Sequence, residues 1–167
     1  MVTTTSIHDA AAAGDIGKLQ AMLDEDEELL NAVDSNKQTP LMLAAKNGEA
    51  TVGSILAECG ADLQIQDGDG NTALHHSCIA NKRLVTSMLL WGGSERDVQN
   101  GEGDTPLHVA CRVGAYDSAW LLVENGGEKS KRIENNAGKL PIDIAKEIEH
   151  KDLVEMLEKE DDYVEES

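Results

Sequence analysis

Apolar residues recur along this chain in a fixed phrase, and polar, glycine-rich stretches separate the copies. The phrase reads TPLMLAAKNG, then TALHHSCIAN, then TPLHVACRVG. Its copies begin at Thr39, Thr72 and Thr105, so the step is 33 residues each time. A constant period of this length is typical of a solenoid, in which each unit packs only on its neighbours.

Each copy predicts a short helix with a defined start and end. A threonine hydroxyl can cap the helix N-terminus, and Pro40 and Pro106 suit the first helical position, where no amide donor is needed. Leucine and small residues at three- and four-residue spacing line one face. Gly48, Asn81 and Gly114 follow, and each tolerates the positive φ that ends a helix.

A second helix is predicted after each first one, ending in turn at Gly60, Gly93 and Gly126. The residues expected to face inward are Val52, Ile55, Leu56, Leu84, Val85, Met88, Leu89, Tyr116, Ala119, Leu122 and Val123. Glycine-rich turns such as DGDGN and NGEGD then lead to the next unit.

Two degenerate copies flank the regular ones, as expected of terminal units that meet water on one face. The first lies around Ile7 and the last is LPIDIA, which begins at Leu140, two residues later than the period requires. We therefore predict one domain over 1–162 and an acidic flexible tail over 161–167. The predicted units are about 4–36, 37–69, 70–102, 103–137 and 138–160.

The phrase resembles the ankyrin repeat, whose T-P-L-H-x-A motif stands here as TPLMLA, TALHHS, TPLHVA and LPIDIA. The resemblance implies an all-α solenoid of helix-turn-helix units with hairpin fingers and a concave binding surface. It also implies a non-catalytic scaffold that recognises proteins. His75 and His108 match the motif histidine, which in the family bonds between units, whereas Met42 replaces it and cannot donate that bond.

Charge narrows the partners that we expect. The net charge is −18, from 32 acidic and 14 basic side chains, so nucleic acid and anionic membranes are poor partners and a protein with a basic segment is a good one. A ribosomal protein, a histone or a regulatory factor would qualify. We find no apolar run of about 18 residues and no signal peptide, and so expect a monomeric cytoplasmic or nuclear protein.

No residue pattern points to catalysis, a cofactor or a metal. Cys59, Cys78 and Cys111 fit neither a disulfide framework nor a zinc motif, and Cys78 and Cys111 share a repeat position typical of core thiols. The DGDGN turn lacks the later glutamate of a calcium loop. His76 replaces an apolar residue of the family pattern, so it is either partly exposed or locally strained.

Candidate partner-binding residues lie in the finger tips and at exposed positions of the inner helices. They are Ser35, Asn36, Gln38, Lys46, Asn47, Asp67, Gly68, Asp69, Asn71, His76, Ile79, Ala80, Glu102, Asp104, Arg112 and Val113. Four of them, Asp67, Asp69, Glu102 and Asp104, are expected to place negative charge on two adjacent fingers and to steer a cationic partner.

An alternative surface involves the two tryptophans. Trp91 and Trp120 fall on one outer stripe of neighbouring units, and tryptophan is favoured at binding hot spots. In this reading the chain is a structural subunit or assembly factor that docks by its convex face. Partial burial of both rings against adjacent helices is the competing interpretation.

Overall fold

The structure is a computed structural model that describes residues 6–124 and 129–159. Within these ranges it is helical and contains no strand. Gly126 and the predicted tail lie outside the described residues. The α-helices are α1 (Ile7–Ala13), α2 (Ile16–Glu25), α3 (Pro40–Asn47), α4 (Ala50–Glu58), α5 (Ala73–Ile79), α6 (Arg83–Trp91), α7 (Pro106–Val113), α8 (Tyr116–Glu124), α9 (Pro141–Glu147) and α10 (Lys151–Glu158), with 3-10 turns at Glu27–Asn31 and Ser130–Arg132.

The first helix of each regular unit begins and ends as the sequence predicts. The Thr39 hydroxyl accepts a hydrogen bond from the Met42 amide at 3.3 Å, so it caps α3. Gly48, Asn81 and Gly114 follow α3, α5 and α7 with φ of 87°, 50° and 69°. The left-handed region is the reason why glycine or asparagine stands at these positions.

The helices form two layers. The inner layer is the row α1, α3, α5, α7 and α9, each packed on the next, and α4, α6, α8 and α10 form an outer row. Leu41, Leu74 and Leu107 hold the same repeat position and are at most 1% exposed, so they form the centre of a continuous core. The two predicted core thiols, Cys78 and Cys111, are buried beside them, and burial raises the pKa of each to about 12.

Two predictions about the outer helices are wrong. Leu84 was expected to face inward, but its side chain is 74% exposed, and Tyr116 is 38% exposed. The α6 sequence is apolar over more than half of its circumference, so periodicity alone leaves the buried face ambiguous. Val85 and Leu89, which were also expected to face inward, do lie in the core, and both are fully buried.

The motif histidines join adjacent units, as the resemblance implies. The Nδ1 atom of His75 accepts from the Thr72 amide at 3.2 Å, and Nε2–H donates to the Asp104 carbonyl at 3.0 Å. His108 repeats this arrangement with the Lys139 carbonyl, also at 3.0 Å. Burial lowers the pKa of both histidines, that of His75 to about 4, so the imidazoles are neutral.

Candidate functional site

Four fingers project between successive units, and one side chain shapes each of them. The fingers are residues 34–38, 67–71, 100–104 and 135–139, and each begins with Asp or Asn. The Oδ1 atom of that first residue accepts from the amides two and four residues later, at 2.8 to 3.1 Å. This Asx turn fixes the finger without a strand. The third finger is as regular as the others, although residues 92–97 depart from the family pattern.

Neighbouring fingers are also bonded to each other through their backbones. The Gly101 amide donates to the Asp69 carbonyl at 2.8 Å, and the Asn136 amide donates to the Glu102 carbonyl at 3.0 Å. A Cβ on Gly70 would lie 2.7 Å from the Gly101 nitrogen, so glycine is needed where these fingers approach. The fingers therefore form one continuous ridge beside the inner helices. We call the ridge and the exposed ends of α3, α5 and α7 the finger face.

The structure corrects the prediction for His76. Its side chain is buried, with only 6% exposed. It is not in an apolar site, because its Nε2 lies 2.7 Å from the Asp67 carboxylate. Gln38 from the preceding finger lies 3.4 Å from the same carboxylate oxygen. Burial alone would raise the pKa of Asp67, but hydrogen bonds from the Asn71 amide and His76 outweigh it and lower the pKa.

A second carboxylate, that of Asp104, is buried in the same way one finger further on. It is 1% exposed, and it accepts hydrogen bonds from the Arg112 guanidinium and from Asn135 Nδ2, the latter at 2.7 Å. Arg112 also lies 3.8 Å from the Glu102 carboxylate. Since a buried carboxylate without partners is costly, Arg112 near the end of α7 serves to neutralise Asp104.

The expectation of four exposed carboxylates on two fingers is therefore wrong. Asp67 and Asp104 are interior structural groups, and Asn71 is also buried, bonded through its Oδ1 to Asn100 Nδ2 at 2.9 Å. Only Asp69 and Glu102 present exposed carboxylates on these two fingers.

The remaining candidates lie where the sequence placed them. Ser35, Asn36, Lys46 and Asn47 are exposed around the first finger and α3, while Gln38 is half-buried. The Asn47 side chain donates to the Leu43 carbonyl of its own helix at 2.8 Å.

A cleft lies on the finger face where the second and third fingers meet α5 and α7. Its volume is about 720 Å³, within the range of ligand sites. Ile79, Val109 and Val113 provide apolar lining, and Asp69 and Glu102 stand on the finger side. Eight of the predicted candidates line this cleft, namely Gly68, Asp69, Asn71, Ile79, Glu102, Asp104, Arg112 and Val113.

The outer helices carry a different kind of surface. Trp91, the last residue of α6, is 85% exposed, and Trp120 in α8 is 39% exposed. Partial burial therefore describes Trp120 but not Trp91. Sequence reasoning missed the exposed Leu84, which lies seven residues before Trp91 and so on the same face of α6.

Within residues 6–124 and 129–159, no group of three or more His, Cys, Asp or Glu side chains could hold a metal ion. No helix in those ranges is both long and apolar enough to cross a bilayer. The described cysteines are free thiols.

Comparison with known families agrees with this architecture. A family model described as ankyrin repeats (3 copies) matches residues 7–91 and 79–166. Nearly the whole chain is covered, and the chain therefore belongs to the ankyrin-repeat family.

Individual relatives match over a shorter segment. The human NAD-capped RNA hydrolase NUDT12 is 41% identical over 70 residues, which is 42% of this chain and 15% of the hydrolase. The NUDT12 of Pongo abelii has the same identity over the same length, 41% over 70 residues. Human transient receptor potential cation channel subfamily A member 1 is 45% identical over 73 residues, which is 42% of this chain and 6% of the channel. The chain thus spans only a small part of these relatives.

Proposed function

We propose that this chain is a non-catalytic module that binds a partner protein, with a basic segment of that partner lying against the concave finger face. The cleft carries this proposal, because it combines an apolar lining with two exposed carboxylates and a rigid bonded ridge. A preformed surface costs little ordering on binding. Such a module acts as a chaperone, an adaptor or an inhibitor by occlusion.

Neither RNA hydrolysis nor channel activity is part of this proposal. The segments shared with the hydrolase and the channel amount to 15% and 6% of those proteins, so their names describe far larger molecules. The net charge of −18 favours a basic protein as the partner and disfavours nucleic acid and membranes. The proposed place of binding is the cytoplasm or the nucleus.

The experiment begins with capture of partners on the immobilised chain, identification by mass spectrometry, and affinity measurement with each purified partner. The test variant is Asp69→Asn with Glu102→Gln on the finger face. Its matched control is Glu58→Gln with Glu124→Gln, which removes the same charge from the exposed outer helices. We expect the finger variant to weaken binding roughly three- to tenfold and to flatten the salt dependence, because exposed charges contribute modestly and are screened. Equal affinity of the two variants would contradict the proposal.

A second candidate function is supported by the exposure of Trp91 and Leu84, at 85% and 74%. In it the chain is a structural subunit or assembly factor that docks by its outer face. Trp91→Ala with Trp120→Ala would then abolish partner binding while the finger variant left it intact. The two candidates thus predict opposite outcomes for the same pair of variants.

A further inference from the structure

The position of the exposed acid on the ridge is more specific than the net charge. The third residue of each finger holds an equivalent place, and these residues are Asn36, Asp69, Glu102 and Ala137. Acid therefore occurs at this position only in the two middle fingers, which flank the cleft. The Gly101 amide bonds to the Asp69 carbonyl at 2.8 Å, so the residues bearing the two carboxylates lie on adjacent fingers that are directly hydrogen-bonded.

The cation in the cleft, Arg112, is already paired with a carboxylate of the protein. The Arg112 guanidinium binds the buried Asp104 carboxylate and lies 3.8 Å from Glu102. Three carboxylates against one guanidinium leave the lining negative, because the Asp104 carboxylate already offsets the charge of Arg112. The cleft is thus built to attract a cation and to repel an anion.

The inner-helix side of the cleft is aliphatic. Ile79 ends α5 and is 44% exposed, and Val113 ends α7 and is 45% exposed, with Val109 beneath them at 6%. Position 79 corresponds to Lys46 one unit earlier and to Arg112 one unit later. Among the three regular units, only the third therefore has an apolar residue at this position, and that residue, Ile79, lines the cleft.

We infer that the cleft recognises a linear segment in which one aliphatic side chain lies next to a lysine or arginine. The aliphatic group packs against Ile79 and Val113, and the cation lies between Asp69 and Glu102. This inference rests on the proposed function and specifies the partner of the same surface. Burial of the aliphatic group supplies affinity, and the two carboxylates supply orientation and selectivity.

The test uses the full chain, labelled for methyl and amide NMR, and three capped peptides with the cores Lys-Leu-Lys, Lys-Ser-Lys and Glu-Leu-Glu. We expect Lys-Leu-Lys at millimolar concentration to shift the methyl signals of Ile79, Val109 and Val113 and the amides of Asp69 and Glu102. Lys-Ser-Lys should bind at least fivefold more weakly, and Glu-Leu-Glu should leave these signals unchanged. Val113→Thr, which preserves shape at an exposed site, should weaken Lys-Leu-Lys but not Lys-Ser-Lys.

Three results would overturn the inference: no shift with Lys-Leu-Lys, equal binding of Lys-Leu-Lys and Lys-Ser-Lys, or shifts centred on the Trp91 and Trp120 indoles. The proposed function is tested separately with the captured partner. If that partner is sensitive to Asp69→Asn with Glu102→Gln while the peptides fail, the finger face binds but not by this chemistry. If the partner is also insensitive, the proposed function fails as well.

Discussion

The finger face of this solenoid buries polar side chains, whereas the outer face exposes apolar ones. On the finger face, Asp67, Asn71 and Asp104 are buried and bonded between adjacent fingers. On the outer face, Leu84 and Trp91 are largely exposed. A ridge that must keep a fixed shape needs its polar groups satisfied internally, whereas a helix surface needs no such network to fold. The acidic residues of the fingers therefore belong to two classes, those that are buried and structural and those that are exposed and free to contact a partner.

The largest expected effect separates interior from exterior leucines. Leu107→Ala should lower the free energy of unfolding by about 2 to 5 kcal/mol, because a fully buried side chain leaves a cavity. Leu84→Ala, its matched control on the outer face, should change that free energy by less than about 0.5 kcal/mol. Urea melts followed by circular dichroism measure both. A loss for Leu107→Ala under about 1 kcal/mol would show that the inner row is not the core.

The next effect tests the structural class of finger acid. In Asp104→Asn, one amide oxygen must replace two carboxylate oxygens, so either Arg112 or Asn135 loses its acceptor. We expect a loss of about 1 to 3 kcal/mol in the same melts. Asp117→Asn removes an exposed carboxylate from α8 and should be nearly neutral. If both variants behaved alike, the burial of Asp104 would have no energetic role.

The third effect is the part of the pH dependence that His75 contributes at its joint between units, beside the part from His108, whose pKa is also lowered. His75 has a pKa lowered to about 4, whereas in the unfolded chain it titrates near 6.5. Its contribution is therefore constant above about pH 6.5 and is lost as the pH falls, by roughly 2 kcal/mol at pH 5. His75→Met reproduces the arrangement of Met42 and should flatten the profile between pH 7.5 and 5. An unchanged slope in urea melts across that range would assign the pH dependence to other groups.

The smallest effect compares the two tryptophans. Trp91→Ala should change the free energy of unfolding by less than about 0.5 kcal/mol, because the ring is 85% exposed. Trp120→Ala should cost more, since the Trp120 ring is only 39% exposed. Denaturant melts read by circular dichroism avoid dependence on the tryptophan signal. The reverse order would mean that the outer face is packed differently from this description.

The sequence predicted the fold closely because the repeat encodes it locally. Thr39, Thr72 and Thr105 mark helix starts, and Gly48, Asn81 and Gly114 mark ends. The hydroxyl caps an amide at Thr39 and Thr105, whereas the Thr72 hydroxyl bonds to His75 Nδ1 instead. The orientation of α6 was not predictable in this way, because Leu84, Val85 and Leu89 are all apolar and only packing against neighbouring helices chooses among them.

The sequence predicted which residues lie in the fingers but not which of their side chains are buried. Position within the finger identified Asp67 and Asp104, yet their burial depends on partners 9 and 8 residues away, His76 and Arg112, and on the adjacent finger. One available signal was overlooked. Asp or Asn recurs at 34, 67, 100 and 135, which is the spacing of an Asx turn in every finger and implies a structural role for Asp67.

We propose that partners bind the finger face at the cleft between the second and third fingers. Hydrogen–deuterium exchange of the full chain, with and without a captured partner, locates the binding surface. We expect slower exchange of amides in 67–71, 100–104 and the ends of α5 and α7, with α6 and α8 unchanged. Protection confined to α6 and α8 would contradict it.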